Sequence, residues 1–149
     1  MQAEAAPWTI YCDGSAVPNP GRMGLGAVLT APDGTRHTLS LPTEGRGCNN
    51  EAELRALMAA LQTAKQHGAT ALVIHCDNSV VVEQLAETAL EPFLRLAPLF
   101  DEVRAELRSF ASARLVWIPR HRNREADALA RAAVGLMPKS PVPAGKRRR

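Results

Sequence analysis

The sequence predicts an α/β protein: a five-stranded mixed sheet, with an antiparallel meander joined to parallel strands and helices on both faces. Three features lead there. Two continuous apolar, β-prone runs, Trp8 to Cys12 (WTIYC) and Ala71 to Cys76 (ALVIHC), have the pattern of strands buried on both sides. A Pro32-Asp33-Gly34 turn signal separates two further strand-like stretches. From Asn49 onward, helical periodicity alternates with strand-like runs, the order that parallel crossovers require.

The elements follow in order. Residues 1–7 are short, Ala-rich and expected to be disordered; WTIYC is the first strand. Gly24 to Thr30 reads as the second, and Arg36 to Leu41 alternates polar and apolar as the third. A helix starts near Asn49 or Asn50, either of which can cap it, and carries Leu54, Leu57, Met58 and Leu61 at i, i+3, i+4, i+7. His67-Gly68 closes it. ALVIHC is the fourth strand, followed by a helix to about Glu87. Pro92 and Pro98 each suit a helical first turn, the second helix running to about Phe110 with Phe100, Val103 and Leu107 on one side. Arg114 to Ile118 is the last strand and Asn123 to Val134 the last helix. Residues 8–137 form one domain, and 138–149 read as a basic flexible tail.

Composition narrows the function. A length of 149 residues, 46% apolar and 22% charged, belongs to one globular domain with one core. No apolar run approaches the roughly 18 residues of a membrane span. The first dozen residues lack the features of a signal peptide, so a cytoplasmic protein without a membrane partner is expected. The odd cysteine count (Cys12, Cys48, Cys76) gives no disulfide framework or zinc spacing; Cys12 and Cys76 read as small buried hydrophobes. The net charge of +3 depends on Lys139, Lys146, Arg147, Arg148 and Arg149. Without those five, 13 basic residues face 15 acidic ones, a net of −2. Affinity for any polyanion must then come from local placement of charge.

Three carboxylates occupy places that stability would not choose. Asp13 directly follows WTIYC and Asp77 directly follows ALVIHC, where buried parallel strands are expected to end and where open α/β sheets place ligands. Glu53 shares a helix face with Leu57 and Ala60 and should point partly towards the sheet, and Asp127 adds a fourth acid from the last helix. Singly, each has an ordinary explanation: a helix cap for Asp77, turn chemistry for Asp13, a solvated helix position for Glu53 and Asp127. Together they meet at one edge of one sheet. Such a cluster stays ionised only with cations, and hard oxygen ligands suit Mg²⁺ or Mn²⁺. Two such ions about 4 Å apart can activate water and stabilise the leaving oxygen of a phosphodiester.

With those acids in place, four ordered segments resemble the type 1 ribonuclease H family. Tyr11-Cys12-Asp13-Gly14-Ser15 followed by Asn19-Pro20-Gly21 is similar to its opening, Cys48-Asn49-Asn50-Glu51-Ala52-Glu53-Leu54 to its second segment, His75-Cys76-Asp77-Asn78-Ser79 to its third, and Trp117 to Ala130 to its ending. The resemblance implies a ribonuclease H-like fold and an endonuclease that hydrolyses the RNA strand of RNA–DNA hybrids, leaving 5′-phosphate and 3′-hydroxyl ends. It also implies two Mg²⁺ ions per site, with Mn²⁺ substituting, and a monomer whose partner is the hybrid duplex. By position, Asp13, Glu53, Asp77 and Asp127 become the metal ligands, and His121 the histidine that assists proton transfer and product release. Gly14, Ser15, Asn19, Asn49, Asn50, Ser79 and Asn123 become substrate-binding residues. Asparagine amides suit the 2′-OH displayed in the wide minor groove of an A-like duplex.

The chain also departs from that pattern. The loop between His121 and Asp127 is short, Cys48 stands where relatives carry a phosphate-holding Thr, and the segment from Glu87 to Pro98 lacks a basic handle. Two rival readings remain: a DNA-cutting nuclease or integrase of the same superfamily, and a non-catalytic hybrid-binding module, which should have lost at least one acid.

Overall fold

Five strands lie in the order β3-β2-β1-β4-β5 in a computed structural model that describes residues 5–87 and 93–137. β1 (Trp8–Val17), β2 (Gly21–Thr30) and β3 (Arg36–Gly47) form the expected antiparallel meander. β4 (Ala71–Cys76) pairs parallel to β1, and β5 (Ser112–Trp117) parallel to β4. The helices are α1 (Asn49–Gln66), α2 (Ser79–Leu85), α3 (Ala97–Arg108) and α4 (Arg124–Ala133), with 3₁₀ turns at Leu94–Leu96 and Arg120–Arg122. The expected basic tail and the Pro92 helix start lie outside the described residues. Among the described residues no helix is long and apolar enough to cross a membrane.

Two expectations are corrected. β1 does not end at Cys12: its parallel pairing with β4 stops at Tyr11–His75, but its antiparallel pairing with β2 continues to Val17. Asp13 therefore sits inside a strand, at the point where one of its two neighbours has left. Neither Asn49 nor Asn50 caps α1. Cys48 occupies the cap position without a side-chain hydrogen bond, because both asparagine side chains are engaged across the groove.

Helices cover opposite faces of the sheet. A Cβ on Gly14 would come within 2.1 Å of the Ala52 backbone in α1, and one on Gly26 within 2.3 Å of the Ala126 carbonyl oxygen in α4. Gly14 pairs with Leu25 and so shares its face, whereas Gly26, the next residue along β2, points the other way. The two close approaches draw both helices tightly onto the centre of the sheet. On the α1 side, Leu54, Leu57 and Leu61 are fully buried with Ile10, Leu72, Ile74, Phe100 and Val103. The apolar periodicity of α1 thus sets its rotation, and that rotation carries Glu53 inward.

Candidate active site

Strand divergence creates the site. β1 and β4 run in register as far as Tyr11–His75, and β4 ends at Cys76. Cys12 and Cys76 close the seam as buried, free thiols with their Sγ atoms 3.3 Å apart. The next residue on each chain is an acid, Asp13 and Asp77. Cysteine at both seam positions is small enough for the two strands to stay close, so the acids emerge side by side. Asn78, not Asp77, caps α2, its Oδ1 accepting the Val81 N–H at 3.2 Å. The capping explanation for Asp77 is thereby removed.

Glu53 completes the group from α1. It is 4% exposed and Asp13 6% exposed. One carboxylate oxygen from each of Asp13, Glu53 and Asp77 falls within 4.8 Å of the others. Glu53 Oε1 accepts the Gly14 N–H at 2.8 Å, while its buried Oε2 has no hydrogen-bond partner among the described residues. Asp127, half-buried in the first turn of α4, lies outside this tight group but lines the same cleft and adds to the upward push on Asp13.

The energetics follow from burial. Loss of solvent lifts the Asp13 carboxyl well above the usual carboxylate range, and the charges of Glu53 and Asp77 lift it further. Burial likewise pushes Glu53 up to about 8, against hydrogen bonds from Asp13 and Gly14 that favour its anion. Without a cation the cluster holds protons. An orphaned buried oxygen beside two more carboxylates is a hard, anionic donor set, and it fits a divalent metal ion.

Asn123 has a different place from the one expected. It is 1% exposed, and its Nδ2 donates to the Cys12 carbonyl at 2.9 Å and to Asp77 Oδ2 at 2.8 Å. A side chain so enclosed is out of reach of substrate. It ties the start of α4 to β1 and fixes one oxygen of Asp77. The remaining predicted residues, Gly14, Ser15, Asn19, Asn49, Asn50, Ser79 and His121, all line one cleft of about 750 Å³ with the four acids. His121 is exposed in the 3₁₀ turn before α4.

Sequence reasoning missed five residues of that lining that bear on chemistry. Asn78, Arg95, Arg120, Arg124 and Arg131 are all there, beside Cys48. Among the described residues, none of the four arginines has a carboxylate within salt-bridge distance, whereas Arg36, Arg55, Lys65 and Arg104 elsewhere do. An acidic floor thus carries a basic rim. Arg124, Asp127 and Arg131 fall at i, i+3, i+7 of α4 and share a face, a spacing readable in the sequence, whereas Arg120 lies in the preceding 3₁₀ turn and, like Arg95, carried no such signal.

Sheet order and acid cluster together define a ribonuclease H-like domain. A family model described as reverse transcriptase-like matches residues 11–133. The chain is similar to RNase H1 from the halophilic archaeon Halobacterium salinarum, with a TM-score of 0.81 and 32% identity over 87% of this chain and 98% of that one. It is similar also to LC11-RNase H1, solved in complex with an RNA/DNA hybrid, at a TM-score of 0.77 and 28% identity, covering 85% and 96% of the two chains. A curated relative, the bifunctional protein Rv2228c of Mycobacterium tuberculosis, is 37% identical over 126 residues, 84% of this chain. The chain spans 35% of that relative's length. This chain belongs to the type 1 ribonuclease H family.

Proposed function

We propose that this chain is a ribonuclease H that cuts the RNA strand of RNA–DNA hybrids, leaving 5′-phosphate and 3′-hydroxyl ends, with Mg²⁺ as its metal and Mn²⁺ able to replace it. The observation that carries the proposal is the buried Glu53 Oε2, without a hydrogen-bond partner among the described residues, in a group of three carboxylates at the floor of a cleft whose rim arginines have no carboxylate within salt-bridge distance among those residues. Asp13, Glu53, Asp77 and Asp127 would hold two ions, which when bound supply an activated water and charge stabilisation at the leaving oxygen.

The chain's own residues do the positioning. The Gly14 N–H holds Glu53 Oε1, and Asn123 holds Asp77 Oδ2, so two of the ligands are oriented in advance. The arginine rim faces a polyanion on either side of the acids. Asn19, Asn49 and Asn50 face its minor groove, with Ser15 and Ser79 nearby. Three free thiols suit a reducing, cytoplasmic setting.

The test is incubation of a labelled hybrid, double-stranded DNA and double-stranded RNA with and without Mg²⁺. Cleavage confined to the RNA of the hybrid, and only with metal, is expected. Cleavage of double-stranded DNA would favour the integrase-like reading, and tight hybrid binding without cleavage the binding-module reading.

His121 sits on the rim, exposed and free to move a proton to or from bulk water. A positioned acid or base contributes about 10²–10⁴-fold to the chemical step. A residue that chiefly speeds product release acts elsewhere in the cycle. His121→Ala is expected to lower steady-state turnover about tenfold or more, with a smaller loss in single-turnover cleavage. Equal losses in the two measurements would place His121 wholly in the chemical step.

A further inference from the structure

The three asparagines of the cleft share an orientation that backbone donors dictate. A backbone N–H can only donate, so the atom that receives it must be the amide oxygen. Asn49 Oδ1 accepts the Ala16 N–H at 2.9 Å, and Asn19 Oδ1 accepts the Asn49 N–H at 3.0 Å. Asn78 is oriented in the same way: its Oδ1 accepts the Val81 N–H at the start of α2. Its Nδ2 must therefore be the donor in its 2.7 Å contact with Asn50 Oδ1. All three cleft amides thus have their oxygen tied to protein, and among the described residues no Nδ2 of Asn19, Asn49 or Asn50 has a protein partner.

We infer that Asn78 is the positioning residue of this row: by holding the Asn50 oxygen it turns Asn50, like the backbone-tied Asn19 and Asn49, to offer only its NH₂ to the groove. The inference rests on the hybrid-cutting reading and deepens it. Every base pair offers minor-groove acceptors, purine N3 or pyrimidine O2, and the ribose 2′-oxygen adds another. Only guanine carries a base donor there. A row of NH₂ groups therefore grips any sequence and discriminates by groove shape and ribose, which suits an enzyme that must cut hybrids of all sequences. An asparagine free to flip would present its oxygen half the time and lose that contact.

The test uses the full chain with Mg²⁺ and a labelled hybrid. Serine at position 78 keeps an oxygen to cap α2 but is too short to reach Asn50. Asn78→Ser should raise KM about three- to tenfold, the size of one hydrogen bond, while kcat falls less than about twofold and the melting temperature stays close to wild type. Asn50→Ala should do the same, and the double variant no more than the larger single loss, because one residue acts through the other. Asn78→Asp, which puts an acceptor against Asn50 Oδ1, should raise KM further than Asn78→Ser. In the wild type, replacing RNA adenines by 3-deazaadenine should raise KM, and replacing guanines by hypoxanthine should not. Unchanged KM in Asn78→Ser, additive losses in the double variant, or the reverse response to the two base analogues would each overturn the inference while wild-type cleavage leaves the functional reading standing. A wild-type protein that cuts no hybrid would overturn both.

Discussion

Asp77→Asn should reduce Mg²⁺-dependent cleavage of a hybrid by about 10³-fold or more, about 4 kcal/mol of transition-state stabilisation. The substitution is nearly isosteric. The new amide still offers an oxygen to Asn123 Nδ2, so the link between Asp77, β1 and α4 is kept and the protein should fold. What is lost is one anion of three whose oxygens lie within 4.8 Å. Hybrid affinity should change by less than about threefold, because the arginine rim and the asparagine row are untouched. Cleavage and binding measured on the same preparation check both halves. Turnover above about a tenth of wild type would mean that Asp77 is not a ligand the reaction needs.

In the metal-free protein, stability should fall as pH rises from about 5 to 8. Asp13 and Glu53 have folded-state pKa values raised above those of the unfolded chain, Glu53 to about 8. Over that window the folded protein binds more protons than the unfolded one, so each step up in pH favours unfolding. Their contribution is fully present below about pH 4, where both states are protonated, and the part due to Glu53 is gone once pH passes about 8. Adding Mg²⁺ at pH 8 should restore several degrees of melting temperature by binding only the folded, ionised cluster. Asp13→Asn removes one of the two acids that burial lifts. It should raise the metal-free melting temperature at pH 8, flatten its pH dependence and blunt the response to Mg²⁺. Melting curves at pH 5 and pH 8 for the two proteins, with and without metal, decide this. A wild-type melting temperature indifferent to both pH and Mg²⁺ would mean that the three acids do not share a site.

Much of the architecture was legible because local pattern and tertiary need coincide. ALVIHC reads as a strand and is one, to the residue, but only the Leu72, Ile74 and Cys76 face is buried and the other is half-buried, not the two-sided burial expected. Leu54, Leu57 and Leu61 mark the buried face of α1, and that same rotation places Glu53 against the sheet. Strand ends were less legible. Apolar character in β1 stops at Cys12, but hydrogen bonding to β2 does not, and pairing with a neighbour leaves no mark in the sequence of one strand.

Residue identity and order determined by themselves which acids are present, which elements carry them and which family the four segments resemble. An acid following a two-sided apolar run is a strong sign, since nothing in stability explains it. The mutual arrangement of side chains was decided only by the tertiary structure. Asn123 looked like a groove residue and is instead a buried tether, because helix α4 approaches β2 at Gly26 closely enough to enclose it. Asn49 and Asn50 looked like caps and instead bond to Ala16 and Asn78, partners 33 and 28 residues away in the chain. The arginine rim draws on residues as far apart as Arg95 and Arg131. Hydrogen bonds and charge placement depend on distances of a few ångströms between elements remote in sequence, and those distances are set by packing rather than by any local pattern.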